Sequence, residues 1–171
     1  MPQQIPGGDI YAALERGTID AAEWVGPYDD EKLGLNRIAP YYYYPGWWEG
    51  QAMAHYFINL DKWNALPPAY QSVMRSASAL SNEWCLSKYD ATNPPALRRL
   101  VAAGTQLRAF SPAILDACQR VALELYAEIS ARNDDFKTIW GSMLAFRNDQ
   151  YLWWQVAEYS YDSYMIRTRP R

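Results

Sequence analysis

Gly104-Thr105-Gln106-Leu107-Arg108-Ala109-Phe110-Ser111-Pro112 separates two long helical stretches, and its reading decides the fold class. Gly104 ends one helix, and residues 106–110 read as a small strand. Ser111 then caps the next helix, with Pro112 at the first helical position, where a missing N–H costs nothing. Helix, strand and helix in succession favour an α/β fold over an all-α one.

Outward from this point, the C-terminal side predicts a helix to about residue 132. Asn133 or Asp134 then caps a long terminal helix carrying Phe136, Trp140, Met143, Phe146, Tyr151, Trp154, Tyr161 and Tyr164, with no proline until Pro170. Its aromatics occupy more than one face, so some surface must cover it. On the N-terminal side, Asn93-Pro94-Pro95 starts the helix that Gly104 ends. An earlier helix runs from Leu66-Pro67-Pro68 to about Tyr89, with Tyr70, Val73, Met74, Ala77, Leu80, Trp84 and Leu86 as its core stripe. Asp61 caps a short turn over Trp63.

Further upstream, two strands are expected, residues 37–44 and 51–59. Apolar residues on both faces of the second (Met53 and Phe57; Ala52, Ala54 and Ile58) suit a strand covered on both sides, with His55 as a satisfied core histidine. The chain begins with a short helix over residues 10–16, capped by Asp9 and ended by Gly17. A buried strand over residues 18–24 and an acidic helical turn over 28–35 come next.

The functional signal concentrates in two corners around Tyr41-Tyr42-Tyr43-Tyr44. One is Glu23-Trp24-Val25-Gly26-Pro27 and the other Pro45-Gly46-Trp47-Trp48-Glu49-Gly50. Each sets a carboxylate beside an indole at a turn forced by glycine and proline. Such corners suit an aromatic-walled pocket for a small ligand. They equally suit two ordinary loops, with tryptophans capping a core and glutamates in water.

Composition limits the alternatives. The 171 residues suffice for one domain with a core, and 8 Trp with 14 Tyr argue for a packed body or a binding surface. A net charge of -3 predicts no nucleic-acid partner, and Arg167, Arg169 and Arg171 read as a solvated basic tail. Cys85 and Cys118 match no metal spacing and read as free core thiols. The single His55 excludes a histidine triad or a multi-histidine metal site within this chain. No glycine-rich phosphate motif is present.

Three segments together carry a family resemblance: residues 8–24, the Pro45-Gly46-Trp47-Trp48-Glu49-Gly50 corner, and Phe146-Arg147-Asn148-Asp149-Gln150-Tyr151-Leu152-Trp153-Trp154 with Ala157-Glu158-Tyr159. They resemble the periplasmic solute-binding subunits of TRAP (tripartite ATP-independent periplasmic) transporters, in the branch that binds 2-oxo acids and is often labelled mannitol/chloroaromatic. The resemblance spans nearly the whole chain and implies the C-terminal half of a protein about twice as long. The expected architecture is one α/β lobe (residues 1–132) of a two-lobed periplasmic-binding-protein-like fold, with a long C-terminal helix (133–171) for dimerisation. It implies a periplasmic, non-enzymatic protein whose signal peptide and N-terminal half are absent from this chain. The expected ligand is a small organic acid, held with a bridging cation, Na+ or another, and delivered to the TRAP membrane subunits.

By that resemblance, Glu23 or the Trp24 carbonyl, together with the Glu49 carboxylate, supplies this half's cation ligands. Hard oxygen donors suit such an ion, which also reverses the repulsion two glutamates would exert on an anionic ligand. Trp24 with Trp47 or Trp48 would wall the pocket, and Tyr43 stands among the expected ligand contacts. The family's carboxylate-pairing arginine comes from the other half, and no motif makes Arg37 a substitute. Two further readings come from other classes. One is a glycoside hydrolase using Glu23 and Glu49 as paired carboxylates. The other is an interaction or scaffold protein whose aromatic helix serves only assembly.

Overall fold

The computed structural model describes residues 1–50, 52 and 54–169. They form two compact units, residues 1–110 and 111–171. In the first, helix α1 (Ile10–Glu15) is followed by α2 (Pro27–Leu33), strand β1 (Tyr41–Tyr44), α3 (Leu60–Asn64), α4 (Pro68–Ala102) and strand β2 (Gln106–Ala109). The second holds α5 (Pro112–Arg132), α6 (Asp134–Val156) and α7 (Glu158–Thr168). None of the described helices is long and apolar enough to cross a membrane.

β1 and β2 pair in parallel, Tyr41 opposite Gln106 through Tyr44 opposite Ala109. Two parallel strands must be joined by a crossover, here α3 and α4. The α/β expectation therefore holds, with a smaller sheet than the sequence suggested. Residues 18–24 form no strand: apart from the half-buried Ile19 they are exposed, and they have no ladder partner among the described residues. Among the described residues of 51–59 there is likewise no strand, and His55 is exposed, with Phe57 beside it at 6.0 Å between rings, rather than in a core. Gln51 and Met53 of that expected strand lie outside the described residues, as does Arg171 of the expected tail. An apolar run can mark a buried strand, but only a partner strand's N–H and C=O groups make it one.

α4 corrects a second expectation. Asn93-Pro94-Pro95 does not start a new helix; it lies inside one of 35 residues. Each proline removes a donor and crowds the preceding turn, yet contacts to α2 pin α4 on both sides of the pair. Tyr89 Oη donates to Asp29 Oδ2 (2.6 Å), Asn93 Oδ1 accepts the Tyr28 N–H (3.1 Å), and Arg99 holds Glu31 through two bonds of 2.7 and 2.6 Å. Tyr28 and Tyr89 meet edge to face at 6.4 Å. Tertiary contacts here outweigh local chain chemistry. The core lies at the same end of α4, where Ala96 and Leu100 are buried with Ile10 of α1.

The stripe expected to be core in the first half of α4 is instead exposed: Tyr70, Val73, Met74, Leu80, Trp84 and Leu86 all face outward. Cys85 is free and exposed and Cys118 free and half-buried, so neither is the core thiol its apolar neighbours suggested. Periodicity identifies a face that needs cover but not the surface that covers it. The chain exposes 14284 Å². Even two separate globules of these unit lengths would expose only about 10,000 Å².

Local caps behave more simply. Gly34 ends α2 in the left-handed conformation (φ 71°), which glycine adopts without steric cost. Ser111 caps α5 and Asn133 caps α6, its Oδ1 accepting the Phe136 N–H at 2.8 Å. Asn59 rather than Asp61 caps α3, and Asp9 stands at the start of α1 without a side-chain bond. In the second unit Tyr126 of α5 packs on Trp140 (4.5 Å between rings) and Phe136 (6.2 Å) of α6. The single terminal helix expected from the sequence breaks at Ala157 (φ -86°, ψ -95°). The Ser160 hydroxyl donates to the Gln155 carbonyl at 2.5 Å, the acceptor that a continuous helix would offer to the backbone N–H of Tyr159.

Candidate functional site: the paired glutamate corners

The first corner takes its direction from α2. Gly26 precedes that helix, Pro27 occupies its first turn, and the Tyr28 N–H, donating to Asn93, with the Asp29 and Glu31 carboxylates, accepting from Tyr89 and Arg99, fasten it to α4. The chain bearing Glu23 and Trp24 thus enters a fixed helix. Trp24 lies across Gly7, where a Cβ would come within 2.4 Å of the indole Cη2. Gly7→Ala is therefore expected to displace Trp24, seen as a shift in tryptophan emission with a loss of roughly 1–3 kcal/mol in denaturant stability, the usual cost of overpacking. An unchanged spectrum would show that the indole position does not depend on this contact.

The second corner lies directly after β1. Trp47 and Trp48 meet edge to face at 5.6 Å, and Trp48 covers Gly46, whose missing Cβ would lie 3.4 Å from Cζ2. Tyr43 stacks on Phe110 at 5.2 Å between rings. Trp24, Trp47, Trp48 and Tyr43 all keep substantial exposed surface, from 37% for Trp24 to 55% for Tyr43.

The two corners are linked electrostatically through Glu23. The Glu23 carboxyl is pushed above the ordinary range by partial burial first, then by the negative charges of Glu49 and Asp30. Among the described residues no three His, Cys, Asp or Glu side chains converge on one point. A cation between the corners could take the two carboxylates and the Trp24 carbonyl from this chain, and would need further ligands from elsewhere. The donor set fits a hard cation, and the repulsion that lifts Glu23 is what such an ion would relieve.

Two residues central to this geometry were missed in the sequence. Asp30 is buried at 7% exposure; its Oδ1 accepts the Gly26 N–H (3.3 Å) and its Oδ2 the Tyr42 hydroxyl (2.5 Å). Burial raises the Asp30 carboxyl, partly offset by those hydrogen bonds, and burial with Asp30 raises the Tyr42 phenol. Alternation along β1 could have separated Tyr42 from Tyr41 and Tyr43. Nothing in Asp29-Asp30-Glu31 distinguished a buried carboxylate from a solvated helix start. Beside the corner, Trp24, Val25, Asp29, Lys32, Leu33 and Tyr89 line an open cavity of about 350 Å³. Tyr89 is pushed up to about 12, chiefly by its bond to Asp29. A larger depression of about 700 Å³ lies along α7. A single helix lines it, without convergent charged groups of opposite sign, so the glutamate corners carry the chemical argument.

Residues 1–133 match the family DctP, bacterial extracellular solute-binding protein, family 7. A monocarboxylate 2-oxoacid-binding periplasmic protein of Nostoc sp. is 46% identical over 162 residues, covering 95% of this chain and 44% of that protein. A TRAP transporter solute binding protein from Bordetella bronchiseptica RB50 superposes with a TM-score of 0.91 at 49% identity, over 96% of this chain and 49% of that one. Its crystal structure is a mixed occupancy dimer, one active site holding copurified calcium and picolinate and the other apo. A TRAP periplasmic solute binding protein from Rhodobacter sphaeroides, in an apo open form, has a TM-score of 0.57 at 20% identity, over 88% of this chain and 48% of that one, which shows the shared fold alone.

The chain spans about half the length of the relatives it matches. Those relatives are solute-binding proteins and not enzymes, which leaves the glycoside hydrolase reading without support. The mostly helical chain with its small parallel sheet matches one lobe of the TRAP periplasmic binding-protein fold. The chain belongs to the bacterial extracellular solute-binding protein family 7, among the periplasmic solute-binding subunits of TRAP transporters.

Proposed function

We propose that this chain forms the C-terminal half of a periplasmic protein that captures a small 2-oxo acid together with a bridging cation and delivers it to TRAP membrane subunits. The observation that carries the reading is the raised Glu23 carboxyl, lifted by partial burial and then by the Glu49 charge, with an exposed indole next to each glutamate in the chain. Two like charges held together at an open, aromatic-walled site are poorly suited to an anion and well suited to an anion plus a cation. The Nostoc relative's 2-oxoacid specificity and the calcium with picolinate in the Bordetella protein favour the same pairing.

In this reading Glu49, with Glu23 or the Trp24 carbonyl, holds the cation, whether sodium or calcium. Trp24, Trp47 or Trp48, and Tyr43 contact the ligand. When bound, the cation supplies positive charge for the ligand's carboxylate. The protein's own groups orient that charge and exclude water. The exposed stripe of α4 and the two-stranded sheet, open on nearly every side chain, suit a lobe completed by the remainder of the protein. The segment from about residue 134 to 167 serves a homodimer. Mass spectrometry of small molecules co-purifying with the full-length protein tests the ligand class: a 2-oxo acid or a related carboxylate is expected, and a neutral sugar would overturn it.

The chain on its own is expected to bind pyruvate weakly, with a dissociation constant above about 1 mM, because half a cleft neither excludes water nor supplies a cationic partner for the carboxylate. Calorimetry in sodium and in calcium buffers measures this. Micromolar binding by the isolated chain would mean that one lobe suffices.

A further inference from the structure

We propose that Asp30 is a positioning residue for the cation-and-ligand site, using one carboxylate to hold both glutamate-bearing corners at a fixed separation. This role rests on the proposed cation-and-ligand reading of the corners. Asp30 Oδ1 accepts from the Gly26 backbone, three residues beyond Glu23. Its Oδ2 accepts from the Tyr42 hydroxyl on β1, the strand leading into the corner that bears Glu49. The carboxylate therefore ties together two segments that no strand pairing joins, since the ladder of β1 is made with β2.

The clasp stands on a rigid base. Asp30 lies in α2, whose neighbouring residues Tyr28, Asp29 and Glu31 are bonded to Asn93, Tyr89 and Arg99 of α4. A site group needs to be held within about 0.5 Å of its working position, and this arrangement transmits the position of α2 to both corners. Stability alone does not account for the residue type. Asp30 is buried without a salt bridge among the described residues, satisfied by neutral donors, and its charge falls on Glu23. A buried carboxylate lacking a cationic partner is costly, and an amide or apolar residue would serve packing at lower cost. A cation between Glu23 and Glu49 would receive the field of this third carboxylate without direct contact.

The test uses the full-length protein, with pyruvate affinity measured by calorimetry in choline buffer to which sodium or calcium is added in steps. Tyr42→Phe removes one hydroxyl and keeps every charge; Asp30→Asn keeps an acceptor and removes the charge. Both are expected to weaken pyruvate binding about tenfold at low cation, the lower range for loss of an outer partner at a metal site. Saturating cation should restore affinity to near that of the parent. A loss of equal factor at every cation concentration, or a lowered Tm with unchanged affinity, would make the clasp purely structural and overturn the proposal. If Asp30→Asn fails to fold, Tyr42→Phe decides alone. The parent protein separates the two claims: pyruvate binding indifferent to both cations removes the site reading itself, whereas a cation-dependent parent matched by Tyr42→Phe removes only the role of Asp30.

Discussion

Glu49→Gln in the full-length protein is expected to lower pyruvate affinity by on the order of 10- to 100-fold in buffer containing the cation, and by much less in choline buffer. The substitution keeps the shape of the side chain and one accepting oxygen, turns the other end into a donor, and removes the charge. What it takes from the site is attraction for the cation, and the ligand weakens because the cation does. The variant should also bring the Glu23 carboxyl part of the way back toward its ordinary pKa, since Glu49 is the second cause of its elevation, while partial burial, the first, remains. Titration of Glu23 by NMR with and without Glu49 reads the proximity of the two residues independently of any ligand. Equal pyruvate affinity in cation and choline buffers for the parent protein would refute the coupling. A Glu23 titration unmoved by the substitution would refute the pairing.

That pairing was legible in the sequence only as two separate corners. Gly26-Pro27 and Pro45-Gly46 mark the turns, and an indole beside each glutamate marks a surface with both apolar and charged character. The proposed clasp between them was not legible, because it uses Asp30 and Tyr42, twelve residues apart and each inside a run of similar residues. An acidic helix start has a sufficient local explanation in the helix dipole. Only the fold shows that one of its carboxylates points inward.

Secondary structure divides in the same way. Ser111-Pro112 and Asn133 were readable because an N-cap is a contact between residues two or three positions apart. Pro94-Pro95 misled because its local preference is real but weaker than the contacts that Tyr89, Asn93 and Arg99 make with α2. Residues 18–24 misled for the opposite reason. Their apolar pattern suits a strand, but a strand is a pairing and none of the described residues pairs with them. The stripe from Tyr70 to Leu86 shows the same limit in burial: it has helical periodicity, yet its side chains are exposed among the described residues.

Removing the chain beyond Arg132 is expected to convert the protein from dimer to monomer. In the first two turns of α6, Phe136 and Trp140 are half-buried against Tyr126. From Met143 onward the cover ends: Phe146, Tyr151, Leu152 and Trp153 are 57–69% exposed, and Tyr159, Tyr161 and Tyr164 of α7 are as open. Burying a large apolar side chain is worth roughly 1.5–3 kcal/mol, so this row supplies ample driving force for association, which a two-fold partner offering the same row would satisfy on both chains at once. Arg147 adds a polar reason. Its guanidinium lies over Trp140 and Tyr151, at 5.4 and 5.7 Å, and its buried Nε has no acceptor among the described residues. An acidic side chain from a second copy, such as Glu158, would satisfy it and fix the register. Sedimentation at low micromolar concentration distinguishes the outcomes: the parent should run as a dimer and the truncated form as a monomer. Arg147→Ala should raise the dimer dissociation constant by on the order of tenfold or more, as loss of a buried charge contact does. A parent that sediments as a monomer with its helix content intact would show that no second copy covers the aromatic row and would refute the exchange.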